Sequence, residues 1–177
     1  MPLTDRQTAA LLLIDFQSRL MPAIDGGTAV IANARRLLLA ARMFTIPILF
    51  TEENADGLGG TLGELEPDAS SVAHKMTFDA CLSPDFQKRL PERCDLVVAG
   101  CEAHVCVLQT VLGLMQAKRR VFLVRDAVGS RRSESKEAAI QRMAQHGADI
   151  VTTEMVLFEW LATAEDKRLD EIIALIK

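Results

Sequence analysis

Short apolar runs alternate along the chain with longer amphipathic segments. The runs cover residues 9–15, 47–51, 95–100, 121–125 and 148–152; amphipathic stretches lie at 28–44, 103–117 and 133–146, and a Gly-rich loop at 54–63. A brief apolar run bounded by turn residues reads as a buried strand, and a longer stretch with apolar side chains on one helical face reads as a helix. Two more helices close the pattern at 154–161 and 165–176. Such alternation builds βαβ units and predicts an α/β fold: a three-layer αβα sandwich with a mostly parallel central sheet, Rossmann-like in plan. Pro47 opens a strand, Gly147 stops a helix, and Ser133 with Glu134 and Glu137 reads as a capped helix start. Residues 71–80 read as a short strand entering a loop.

Composition narrows the partners. With 177 residues, 49% of them hydrophobic, and no Pro-, Gly- or Ser-rich divider, the chain predicts one domain over residues 1–177. A net charge of -4 leaves no basic footprint for nucleic acid and no polybasic face for a membrane, so a small molecule is the expected partner. The first apolar run is broken at once by Asp15 and follows no basic segment, which argues against a signal peptide or membrane span and for a cytoplasmic location. Cysteines at 81, 94, 101 and 106 are irregularly spaced, as reduced thiols rather than a disulfide framework would be.

In open parallel sheets, functional groups gather beyond the carboxyl ends of the strands. Asp15, Glu52, Glu53, Lys75, the 101–106 turn and Asp126 each follow a predicted strand, which predicts that they share one rim. Cys106 stands out among them. It sits just past a buried strand and a sharp turn, near the start of an apolar helix, where unpaired amides and the helix dipole favour a thiolate.

These residues fall into segments that resemble a known family. Leu11-Leu12-Leu13-Ile14-Asp15-Phe16-Gln17, Lys75 with Phe78, Gly100-Cys101-Glu102-Ala103-His104-Val105-Cys106-Val107, and Asp126-Ala127-Val128-Gly129-Ser130-Arg131 are similar to the isochorismatase-like hydrolase superfamily, which includes nicotinamidases and N-carbamoylsarcosine amidohydrolases. Thr51-Glu52-Glu53 and Leu157-Phe158-Glu159 resemble its isochorismatase-domain-containing subgroup. The resemblance implies an Asp15, Lys75, Cys106 triad: Asp15 as base and later proton donor, Lys75 as charge balance, Cys106 as nucleophile. It also implies a non-proline cis peptide at Glu102–Ala103 and a homo-oligomer, dimer or tetramer. The amides of Ala103 and Cys106 are the candidate oxyanion hole, a device in which each donor contributes roughly 3 kcal/mol. Glu52, Phe78 and Glu102 are candidate pocket residues.

Other readings of single residues stand beside these. Cys101, directly after its strand, reads as structural, and Cys81 and Cys94 have no suited partner in sequence. His74 and His104 read as structural, and Trp160 as core or subunit contact. A zinc site from Cys101, His104 and Cys106 lacks a second ligand pair. Metal-binding nicotinamidase relatives carry an aspartate and histidines after the second strand, whereas residues 51–63 hold Asp56 and no histidine, so neither metal nor cofactor is expected. A sulfur nucleophile favours C–N hydrolysis through a thioester. Isochorismatase-type vinyl-ether hydrolysis needs only proton transfer and is the alternative, with a redox-sensing thiol or a non-catalytic module as a third class.

Overall fold

The computed structural model describes residues 3–92 and 94–177. Its centre is β1, Ala9–Ile14, six residues that are all buried. Side chains alternate across a strand, so Ala9, Leu11 and Leu13 enter one core and Ala10, Leu12 and Ile14 the other. Burying each leucine contributes roughly 1.5–3 kcal/mol relative to exposure. A strand covered on both faces is apolar throughout, and that is why this run has no polar residue before Asp15.

Five further strands complete one sheet: β2 Ile48–Glu53, β3 Val72–Lys75, β4 Asp95–Cys101, β5 Val121–Gly129 and β6 Asp149–Val151. The order is β3-β2-β1-β4-β5-β6 and every neighbouring pair is parallel. The helices are α1 Gly27–Met43, α2 Ala55–Leu58, α3 Pro84–Arg89, α4 Leu108–Gln116, α5 Ser133–Gln145, α6 Thr153–Leu161 and α7 Leu169–Ile176. One face of the sheet packs on α1, α6 and α7 through Ala34, Leu37, Leu157, Trp160 and Ile172; the other packs on α3, α4 and α5 through Phe86, Val111, Leu114, Ile140 and Met143. The predicted three-layer sandwich is therefore present.

Several elements depart from the sequence expectation. β2 runs on to Glu53 and β5 to Gly129, beyond the apolar runs, because ladder pairing with β3 and β4 continues after the hydrophobic pattern stops. Asp126 consequently lies inside β5 and away from the rim; its Oδ1 accepts from Thr153 N (2.8 Å) and Oγ1 (3.0 Å) at the start of α6. The predicted 103–117 helix opens with a π-helical turn, Ala103–Val107. The predicted 165–176 helix starts only at Leu169, since Asp166 pairs with Arg6 (2.8 Å) and Arg168 (2.6 Å) in the turn before it. Ser133 is the first helical residue of α5 and makes no side-chain cap. Helix α3, too short for a periodic signal, was not expected; Ser83 caps it by accepting from Phe86 N.

Candidate active site

Strand register brings the rim residues together. Ile14 lies opposite Thr51 on one side and Gly100 on the other, and Glu53 lies opposite Lys75. Asp15 leaves β1 with φ 53°, a left-handed conformation that Asp tolerates better than most residues. Its Oδ2 accepts from Lys75 Nζ at 2.7 Å and its Oδ1 from Thr51 Oγ1 at 2.6 Å. Lys75 Nζ also lies 3.4 Å from Glu53 Oε2, and the Cys106 thiol donates to that same oxygen at 2.9 Å. The three residues expected from sequence converge, and Glu53 joins them.

β4 delivers Cys106. Gly100 has φ 150°, and a Cβ there would meet Ile14 O and lie 2.6 Å from Ile14 Cβ, so only glycine lets β4 lie this close to β1. The ladder with β5 shifts register between Val98 and Gly100. After Cys101 the amides of Val105 and Val107 both donate to Glu102 O, at 3.0 and 3.2 Å, and close the turn. The cis peptide is at Cys101–Glu102, one bond earlier than expected. The strand extends through Cys101, so the chain turns at the bond by which it leaves the strand.

The electrostatics correct the expectation of an easily ionised thiol. Burial, then the negative charge of Asp15, pushes the Cys106 thiol above its ordinary value; Lys75 opposes them, and the hydrogen bonds to Glu53 and Asp15 add to the rise. A helix start does not outweigh two carboxylates beside the sulfur. Burial likewise raises Asp15, against the opposing pull of Lys75 and Thr51. Burial works to lower Lys75, yet Asp15, Cys106 and Glu53 together hold it above its ordinary range. The ammonium therefore stays charged among three acidic groups.

A cavity of about 320 Å³ opens on this cluster, lined by Asp15, Glu53, Phe78, Glu102, Cys106 and Arg131 among others. Of the predicted pocket residues, Phe78 and Glu102 line it and Glu52 does not. Glu52 precedes Glu53 on β2 and points to the opposite side of the strand; its Oε1 accepts from Thr61 N (2.6 Å) and Oγ1 (2.8 Å), and it borders a separate cavity with His74. Arg131, which carries no predicted pocket role, donates from N and Nε to Glu102 at 2.9 and 3.1 Å. His104 Nδ1 lies 3.0 Å from Ser130 Oγ. Cys101 is fully buried in the core on the other face of the sheet from Cys106, and Trp160 is fully buried.

Asp15, Glu53 and Cys106 offer ligand atoms within 4.8 Å of one another, a spacing compatible with a metal ion. Lys75 Nζ, already within 2.7 Å of Asp15 and 3.4 Å of Glu53, supplies positive charge at that position. A divalent ion bridging the same oxygens would face a buried ammonium, a repulsion strong in a poorly solvated site.

Residues 9–155 match the family described as Isochorismatase domain. The chain is 32% identical over 174 residues to mouse isochorismatase domain-containing protein 2A, covering 97% of this chain and 84% of the relative. It superposes on a structure of MAR1 ribonuclease from Caenorhabditis elegans with TM-score 0.89 at 31% identity, covering 98% of this chain and 92% of that one. YcaC from Pseudomonas aeruginosa, solved with hexane-2,5-diol and covalent acrylamide, matches with TM-score 0.89 at 26% identity over 98% of this chain and 90% of that one. The Escherichia coli YcaC product, described as an octameric hydrolase of unknown specificity, matches with TM-score 0.86 at 26% identity over 98% of this chain and 87% of that one. Matched along most of its length, and carrying the rim residues on a shared αβα scaffold, the chain belongs to the isochorismatase family and has its hydrolase fold.

Proposed function

We propose that the protein hydrolyses the C–N bond of a small amide, with Cys106 as nucleophile and a thioester as intermediate. One observation carries this reading: the Cys106 thiol, 2.9 Å from a carboxylate oxygen, stands beside the Lys75–Asp15 pair and lines a cavity of about 320 Å³. A thiol attacks a carbonyl when a base removes its proton, and a fixed ammonium stabilises the anion that forms. Asp15 and Lys75 supply the charge pair that this step needs; the amides of Ala103 and Cys106 would receive the oxyanion. The cavity's size favours a small molecule over a nucleic acid, as does the net charge of -4. The covalent acrylamide on one relative supports the reading, because acrylamide is an electrophile that thiols add to.

No helix among the described residues is long and apolar enough to cross a membrane. The octameric relative supports a homo-oligomer for this chain too, dimer or larger. The core-facing apolar residues of α4 and α6 do not supply the contact: Leu108, Val111 and Leu114 of α4 and Leu157, Trp160 and Leu161 of α6 are already covered within the chain. Met76, Phe78 and Leu82, exposed after β3, are the apolar surface that a second copy would cover.

The test is a screen of primary amides, ureas and isochorismate against the wild type and Cys106→Ala, with mass spectrometry of the intact protein. An acyl adduct on the wild-type sulfur, with turnover lost by about 1,000-fold or more in a folded alanine variant, is the expected result. Equal turnover by Cys106→Ala would favour proton transfer from buried Asp15 to a vinyl ether instead.

A further inference from the structure

Two carboxylates stand beside the Cys106 sulfur, and they are held differently. Asp15 is 1% exposed in its side chain and has both oxygens engaged, one by Thr51 and one by Lys75. Glu53 takes the thiol and the longer Lys75 contact on Oε2 alone. Its Oε1 has no protein partner among the described residues, its side chain is 12% exposed, and it lines the cavity. A proton carrier must touch the group that gives the proton and reach the group that receives it. Glu53 satisfies both conditions.

Its position is fixed from behind. Gln17, fully buried, accepts from Glu53 N at 2.9 Å and donates to Glu53 O at 2.9 Å and to Gly59 O at 2.6 Å. The backbone of residue 53 is thereby clamped on both its polar groups, so the carboxylate reaches the sulfur from a rigid base.

We infer that Glu53 is a further catalytic residue, which takes the Cys106 proton and hands it to the departing nitrogen, so that the site can expel a leaving group as poor as an amide nitrogen. The inference rests on the thioester reading. As Sγ bonds to the carbonyl carbon, its proton moves to Glu53 and the C=O π pair becomes the oxyanion. When the oxyanion collapses, the C–N bond breaks and the Glu53 proton goes to nitrogen, releasing ammonia or amine. Water then attacks the thioester, passing one proton to Glu53. The C–S bond breaks, the sulfur recovers that proton, and the acid leaves. An amide nitrogen needs this proton to depart, whereas a nitrophenolate does not.

The experiment compares Glu53→Gln with the wild type in single-turnover acylation by propionamide and by p-nitrophenyl propionate, followed by intact-protein mass spectrometry. Circular dichroism establishes that the variant folds, and iodoacetamide labelling that Cys106 is still reachable. Acylation by the ester, which loses the base alone, should fall about tenfold or more, and acylation by the amide, which loses base and acid together, should fall at least about tenfold further. A variant acylated by the amide at the wild-type rate, or one that loses both reactions equally, would overturn the role of Glu53 and leave Cys106 in place. A wild-type protein acylated by neither compound would instead overturn the thioester reading and this inference with it.

Discussion

At the scale of single residues, the two buried cysteines of the β4 region behave differently for a physical reason. Cys106 faces three charged groups and a cavity, while Cys101 is enclosed by apolar core. Burial above all holds the Cys101 thiol up, to about 12 against an ordinary 9.0. The folded protein thus keeps a proton that the unfolded chain releases above pH 9. The stability this thiol contributes is complete below pH 9 and is lost as pH rises toward about 12. Between pH 8 and 10.5 the loss should be about 2 kcal/mol. Urea denaturation at both pH values checks this: Cys101→Ala should lose less stability over that interval than the wild type, whatever its stability at pH 8. Equal losses would mean that the sulfur already reaches water. Removing either partner of the buried Lys75–Asp15 pair strands a charge, at a cost of about 3–5 kcal/mol.

At the scale of elements, β1 and β4 must lie close enough for the ends of both to meet. Gly100 permits this contact: its φ is 150°, and a Cβ would lie 2.6 Å from Ile14 Cβ and 2.9 Å from Ile14 Cα. These are atoms of a buried central strand that cannot swing aside. Gly100→Ala should therefore destabilise the protein by more than about 3 kcal/mol in urea unfolding. Because Ile14 immediately precedes Asp15, the same substitution should move the carboxylate relative to the sulfur and change the rate at which iodoacetamide labels Cys106. An alanine variant as stable as the wild type would mean that β1 and β4 can separate freely.

At the scale of the whole molecule, the strand order β3-β2-β1-β4-β5-β6 reverses direction between β1 and β4. In open parallel sheets a crevice forms beyond the carboxyl ends at that reversal, because the connections leave to opposite faces. Asp15 follows β1 and Cys106 follows β4, so the cluster sits at this crevice. The segment after β3 carries exposed Met76 and Leu82, which border the separate cavity beside Glu52 and His74. If a second copy covers them, as proposed above, sedimentation at micromolar concentration should report a dimer or larger, and Met76→Asp with Leu82→Asp should shift it toward monomer. A wild-type monomer across that range would reject the assembly.

The strands and helices were legible in the sequence because a strand buried on both faces must be apolar throughout and a covering helix must be apolar on one side. Asp15, Lys75 and Cys106 were legible as rim residues, each interrupting or following such a run, and it was the family resemblance that singled these three out from Glu52, Glu53 and Asp126. Glu53 was visible only as a rim residue, since nothing in a one-dimensional pattern distinguishes it from Glu52. Strand alternation and ladder register, which turn one toward the sulfur and the other toward Thr61, made that choice. The state of the Cys106 proton was likewise beyond the sequence. It depends on charges contributed by β1, β2 and β3, brought within a few ångströms only when the sheet closes around them.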